Sequence, residues 1–463
     1  MTTPTTTVHP VAASDQQRLG QPVLTTLDAI AQSMAIGPVF SAISLGALIA
    51  GAAGKGATFV TILGAIAALC TGWVLSVYAR KYAHAGAAYE YLRRAGGQGV
   101  GVFSAFMYWL GYCCLGLTGI YAVFGVIASG ALKGNFNIDL PWYVYSLIAL
   151  ILITVANYIG VKTTTRTQLL LTTLSVIPFL LVSLLILVRG GAHGQDLSVF
   201  APSSDGSVFA GLLLALSLFV GFEAAAALGE ETAEPFKSIP RAIVGTVILS
   251  TVFYLLIMYT STIGFGVDKI ADWAKDASPM STLAGRFGLG WIGPVLDIAL
   301  LLDIIAVAST TMISITRMWF ALGRHGVLPA ALTRVSRNNT PVTGIIVAFV
   351  LGLVYIAGVA ISGGDPMVVF NISTNTGILM VNIVFALLAL FVMRVIGADG
   401  RKWWHYVATV IAFIIPFIAT YGLLTTPGAF DWPNNIVFMA VAVCAVIALI
   451  FALTNRGKAQ MLV

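Results

Sequence analysis

The chain has 463 residues, of which 59% are apolar and only 9% charged, with a formal net charge of +6. Its mean hydropathy is +0.95, whereas a soluble domain of ordinary composition is about a quarter charged. That composition excludes a soluble enzyme, a nucleic-acid-binding protein and a disordered scaffold. It leaves a polytopic membrane protein, because a bilayer span needs about 20 mostly apolar residues.

Residues 1–20 are polar and Thr-rich without an apolar stretch behind a basic start, so they read as a flexible cytoplasmic tail rather than a cleavable signal. Apolar runs then fall at about 27–50, 57–79, 99–130, 141–158, 168–188, 208–229, 241–265, 290–322, 342–361, 367–393, 405–425 and 435–453. Their length and all-round apolarity predict twelve transmembrane helices, not the short alternating strands of a barrel. A short tail, 456–463, follows. The four cysteines, Cys70, Cys113, Cys114 and Cys444, lie inside apolar runs and offer no disulfide framework.

Orientation follows from Lys and Arg. One side collects Arg18, Arg80, Lys81, Arg93, Arg94, Lys162, Arg166, Lys237, Arg241, Arg317, Arg324, Arg334, Arg337, Arg394, Arg401, Lys402, Arg456 and Lys458; the other holds Lys55, Lys133, Arg189, Lys269, Lys275 and Arg286. This 18-to-6 division of the 24 cations predicts that both termini are cytoplasmic, which in a bacterial cell means the inner membrane.

Two spans are interrupted. Span 1 carries Ile36-Gly37-Pro38-Val39-Phe40-Ser41 in its middle. Proline lacks a donor and glycine loosens the helix, so this segment is either a simple kink or a true break lining a cavity. Span 6 carries Phe219-Val220-Gly221-Phe222-Glu223, and a glutamate inside an apolar run faces a polar interior. Paired interruptions at matching places in two halves mark secondary transporters with inverted repeats, whose substrates sit at the breaks. The ends of such half-helices suit a zwitterion, with a carboxylate at the free N–H groups and an ammonium at the free carbonyls.

Several segments carry a family likeness. They are Gly221-Phe222-Glu223 with Glu230-Glu231-Thr232-Ala233-Glu234-Pro235 and Ser238-Ile239-Pro240-Arg241; His84 to Arg94; Asn157 to Lys162; and Arg317 with Ala321 to Pro329. On these residues the chain resembles the amino acid–polyamine–organocation (APC) transporters. The resemblance runs from about residue 20 to 455. It implies an all-α integral membrane protein of the leucine-transporter fold, twelve transmembrane helices in a 5+5 inverted repeat plus two C-terminal helices. The transporter domain would be 21–455, with repeat one about 27–188, repeat two about 208–393 and helices 11–12 about 405–453. The implied function is a permease that moves amino acids by alternating access, coupled to protons or sodium or working by exchange. The alternative is a carrier of a polyamine or another small amine lacking a carboxylate. No cofactor is implied beyond a coupling ion, Na+ or H+. The expected partners are a small-molecule amino acid or amine and the lipid bilayer, with no nucleic acid and a monomer or weak homodimer as the assembly.

Carried onto this chain, the family's substrate site maps to Ile36, Gly37, Val39, Phe40 and Ser41 at the first break and to Phe219, Val220, Gly221 and Phe222 at the second. Ser217 stands where some members carry an aromatic gate. Glu223 matches a glutamate that supports the broken helix and couples to protons. Ser175 stands where several members place a lysine in helix 5. Pro38 departs from the family's glycine-rich signature and removes one donor from the carboxylate site, which favours amines more than usual. On helix 8, Ala306, Ser309 and Thr310 lie on one face at i, i+3 and i+4 and offer hard oxygen ligands for sodium, or simply pack the helix. Asp303 on the same helix is a candidate relay or gate. Glu230, Glu231 and Glu234 read as a solvated acidic cluster or as partners for Arg80, Lys81 or Arg93. Trp109, Asn371, Thr374 and Asn375 are further pocket candidates. Metalloprotease, serine-hydrolase and phosphate-loop motifs are missing from the sequence, so no enzymatic activity and no metal centre are expected.

Overall fold

The structure is a computed structural model that describes residues 11–12, 22–34, 37–203, 206–276, 278–398, 400–425 and 428–455. Most of the N-terminal tail, the 456–463 tail and the substrate-site candidate Ile36 lie outside these residues. Within the tail, Val11–Ala12 (β1) pairs in parallel with Tyr82–Ala83 (β2).

The rest is helical. Span 1 consists of α1 (Thr26–Met34) and α2 (Pro38–Ala53), followed by α3 (Ala57–Ala79) and the amphipathic α4 (Ala88–Gly96). Span 3 runs as α5 (Gln98–Tyr112), a π-helical turn over Cys113–Gly119, and α6 (Ile120–Phe136). α7 (Trp142–Ile159) and α8 (Val161–Arg189) close the first half. The second half opens with α9 (Val208–Ser217), a turn over Leu218–Glu223, a short 3-10 helix at Ala224–Leu228, and α10 (Pro235–Phe265). Two short helices, α11 (Ile270–Lys275) and α12 (Pro279–Arg286), precede α13 (Gly293–Arg324), α14 (Val342–Ser362) and α15 (Pro366–Ile396). α16 (Trp403–Leu424) and α17 (Ile436–Thr454) complete the chain.

Length and apolarity pick out ten membrane-crossing stretches among the described residues, not twelve. The difference has two causes. Spans 1 and 2 run on as one apolar stretch, Thr26–Ala79, and the sixth predicted span is cut short, leaving only the ten-residue helix Val208–Ser217.

The interrupted helices lie at the centre. α1 packs against α8, α10 and the 3-10 helix, while α2 packs against α9 and α11. α13 packs along α8 and also touches α2. The interior is rich in alanine and glycine, with Ala29, Val39, Ala42, Ala215, Ala225 and Ala308 all within 2% of complete burial. Small side chains let helix backbones approach closely, the main source of attraction where lipid removes the hydrophobic drive. Large apolar residues point outward instead: Ile151, Leu181, Val252, Val354 and Val443 are all exposed. That inversion is what a lipid-facing perimeter requires.

Candidate functional site at two broken helices

Gly37 ends the interruption of span 1 in a left-handed conformation, φ 75° and ψ 66°, and Pro38 opens α2 as its first helical residue. A β-carbon at Gly37 would come within 2.2 Å of Val307 Cγ2, so glycine is required by conformation and by space. A helix start presents free N–H groups with partial positive charge. Here Pro38 has none, and the Ser41 N–H closes on the Gly37 carbonyl at 2.8 Å. The Phe40 N–H donates to Asp303 Oδ2 at 2.8 Å, and the Val39 N–H faces the same carboxylate. Ser175 Oγ donates to the other oxygen, Asp303 Oδ1, at 3.0 Å. Asp303 and Ser175 are both fully buried. The structure thus joins two residues predicted separately, the carboxylate of α13 and the hydroxyl of α8, at the N-terminus of α2.

The second break is built in the same manner. α9 stops after Ser217, and Gly221 turns the chain with φ 106°. Glu223 Oε2 accepts the Gly221 N–H at 3.1 Å. Its Oε1 accepts the hydroxyls of Tyr112 at 2.5 Å and Tyr108 at 3.1 Å, both from α5. Ser33 Oγ of α1 accepts the Ala225 N–H at 3.1 Å and ties one break to the other. Each interruption therefore carries a buried carboxylate that caps the N–H groups it exposes.

Between the breaks lies a cavity of about 90 Å³. A water needs about 10–15 Å³ measured in this way, so the space suits a solute of a few heavy atoms. Phe40, Ser41, Ser217, Val220 and Gly221 line it, as do Thr310 and the candidate Thr374. Ser44, Tyr112, Thr311 and Phe370 line it too, and these the sequence reading did not single out. The lining contains no lysine, arginine or histidine. Phe219 and Phe222, expected to contact substrate, face away from it. Phe219 packs edge-on against Tyr254 and Phe222 against Phe385, because the turn after Ser217 rotates them toward α10 and α15.

The remaining candidates separate. Ser309 Oγ accepts Asn157 Nδ2 of α7 at 3.2 Å, whereas Thr310 Oγ1 is buried without a protein partner at the cavity wall. The two hydroxyls of the sodium triad therefore serve different neighbours, and Ala306 is packed in the core. Trp109 stacks edge-on with Trp319, and the other helix 8 carboxylate, Asp297, accepts Asn135 Nδ2 in an exposed position.

The loop acids are corrected outright. Glu230 and Glu231 are buried, not solvated, and their partners are Arg324 (2.6 Å) and Arg317 (2.6 Å) rather than Arg80, Lys81 or Arg93. Glu234 alone is exposed, beside Lys237. Glu90 of α4 takes Arg93 and Arg94, and His84 stacks on His325. His84, Glu90 and His325 each bring a ligand atom within 4.8 Å of the others. The Glu90 oxygens already serve two arginines, however, so the chemistry is that of an ion network. Burial alone would raise Glu90, but hydrogen bonding from Arg93 and the charges of His84, Arg93 and Arg94 outweigh it and hold the carboxyl at about 2. Burial, reinforced by the neighbouring His84, holds His325 at about 4.

Two discontinuous helices wrapped around a small buried cavity, inside a lipid-facing bundle, define a membrane protein of the leucine-transporter fold. A manganese transporter from Eremococcus coleocola superposes with a TM-score of 0.58 over 96% of this chain and 97% of that one, at 14% identity. The chain belongs to the amino acid permease family, whose model matches residues 24–458. Among its relatives are the branched-chain amino acid permease BcaP of Bacillus subtilis, 29% identical over 50% of this chain and 49% of the relative, and the D-serine/D-alanine/glycine transporter of Escherichia coli K12, 26% identical over 65% and 63%. The chain thus spans about half the length of the first of these relatives and 63% of the second.

Proposed function

We propose that this chain is a secondary active transporter that moves amino acids across the cytoplasmic membrane by alternating access, and that it is not an enzyme. The cavity at the two helix breaks carries this reading. It is small, and its largely apolar lining, with Phe40, Leu45, Leu115 and Phe370, carries the hydroxyls of Ser41, Ser217, Thr310 and Tyr112. Binding at discontinuous helices near the bilayer midplane lets one half of the fold rock against the other around a fixed site. Family membership and the amino acid transport functions of the relatives support amino acids as the solute. The charge division of the loops supports cytoplasmic termini. The protein acts as a monomer or weak homodimer, and a proton gradient, a sodium gradient or exchange drives it.

The test is uptake into proteoliposomes containing the purified chain, with labelled amino acids and amines under imposed proton or sodium gradients. Saturable uptake of at least one of them is expected. No uptake, exchange or thermal shift with any member of the panel would sink the reading.

A further inference from the structure

We propose that the carboxylate of a transported amino acid competes with Asp303 for the N–H groups of α2, so that each amino acid bound is linked to one proton taken up by Asp303. The inference rests on the amino acid transport reading above and adds its coupling ion and the group that carries it.

The donors at this helix end can be counted. Pro38 supplies none, Ser41 is spent on the Gly37 carbonyl, and Val39 and Phe40 face Asp303. The cavity reaches the same turn through Phe40 and Ser41, and reaches α13 one turn beyond Asp303 through Val307 and Thr310. With no cationic side chain in the lining, the start of α2 is the anion-stabilising group within reach. At the other break Glu223 holds the Gly221 N–H together with two tyrosine hydroxyls, and Ser33 holds the Ala225 N–H.

Two carboxylates cannot both occupy two N–H groups in a buried site. A bound amino acid therefore turns Asp303 off α2. Deprived of those donors and surrounded by core, an ionised carboxylate is too costly to persist, and it takes a proton from solution. When the amino acid leaves, the proton returns to solution and Asp303 recaps the helix. The groups facing Asp303 fit this exchange. α8 contributes the neutral Ser175 and α2 only backbone N–H groups. From α10 the titratable side chain facing it is Tyr254.

The proposed proton route follows α8. Gln168, Thr172 and Ser175 lie on one face of α8 at i, i+4 and i+7. Both side-chain ends of Gln168, Thr172 Oγ1, Gln32 Oε1 of α1 and Thr310 Oγ1 of α13 are buried without protein partners. Buried polar groups in that condition are served by ordered water. Along α8 the order Ser175, Thr172, Gln168, Arg166 leads from Asp303 to the start of the helix, where Arg166 meets Asp28 at 3.7 Å.

Titration calorimetry on the purified full chain tests the proposal, with the twenty standard amino acids, D-serine, ethanolamine and putrescine as ligands. In buffers of different ionisation enthalpy, the tightest amino acid should take up about one proton. Its Kd should weaken by up to about tenfold per pH unit between pH 6 and 8. Asp303→Asn should flatten that dependence while the amino acid still binds. Should Asp303→Asn fail to fold, Ser175→Ala provides the second arm: it loosens the internal cap and should tighten binding at pH 8. Zero proton uptake, an unchanged pH slope in Asp303→Asn, or no change at pH 8 in Ser175→Ala would overturn the proposal. Binding of ethanolamine or putrescine with no amino acid bound would overturn the competition but leave a transporter. Failure of every ligand to bind would remove the transport reading itself.

Discussion

Glu223 receives three hydrogen bonds, from the hydroxyls of Tyr108 and Tyr112 and from the Gly221 N–H. Replacing it with glutamine keeps the shape but substitutes an NH2 for one acceptor, so either the Gly221 N–H faces a donor or the two tyrosine hydroxyl protons lose their shared acceptor. Leaving a buried donor unsatisfied costs about 1–3 kcal/mol. Glu223→Gln should therefore lower the melting temperature in detergent, and Tyr112→Phe, which leaves Glu223 two of its three bonds, should lower it less. Gly37→Ala is expected to be worse than either. It forces a β-carbon into a left-handed backbone, at about 1–2 kcal/mol, and drives it against Val307. Size-exclusion of the solubilised variant should show lost monodisperse protein. Glu223 and Asp303 stood out as charges inside apolar runs, while Ser175 was reached only through the family resemblance. What the sequence withheld was their pairing, because pairing depends on the rotation of each helix about its axis. Tyr108 and Tyr112 sit one turn apart on an apolar helix and carried no signal until the fold set them opposite Glu223.

At the level of elements, helix existence was legible and helix continuity only partly so. Gly37-Pro38 marked the first break correctly, but the second break defeats periodicity. After Ser217 the chain leaves the α-helical repeat, so Phe219 and Phe222, assigned to the cavity by position, rotate into the core. Loops were misread for a related reason. Glu230 and Glu231 look solvated in sequence, whereas their arginines come from the far end of α13. Because Glu231 and Arg317 are both about 3% exposed, removing one partner strands the other charge. Arg317→Ala should destabilise by about 3–5 kcal/mol, while replacing both with apolar residues of similar volume should cost far less; chemical denaturation of the three variants checks this. The adjacent histidines give the same face a pH dependence. His325 titrates near 4 when folded and near 6.5 when unfolded. The unfolded chain thus binds the proton first, and stability present above pH 6.5 is lost as pH falls toward 4. Glu90, held at about 2, keeps its contribution above about pH 4.5 and loses it progressively as pH falls from there to 2. Melting curves from pH 7 to 4 should fall, and His325→Gln should fall less.

For the whole molecule, composition announced a membrane protein because it depends on sums rather than on geometry, and the cation division predicts an orientation that can be measured. Single cysteines placed at Lys269 and at Arg337 in a chain cleared of its four native cysteines give the direct check. Impermeant maleimide added to intact cells should label the first and spare the second. The cavity's size and its neutral lining were not legible, since they arise from helices far apart in the chain.

The two internal carboxylates also bear on the return stroke. A helix end left bare when its cargo departs would hold an empty carrier in place until new cargo arrived, and such a protein can only swap one molecule for another. Here Asp303 and Glu223 satisfy both ends without cargo, and on the proposal above this would let the unloaded form reorient. Vesicles preloaded with nothing but buffer should therefore accumulate solute, and adding the same solute inside should accelerate influx only modestly.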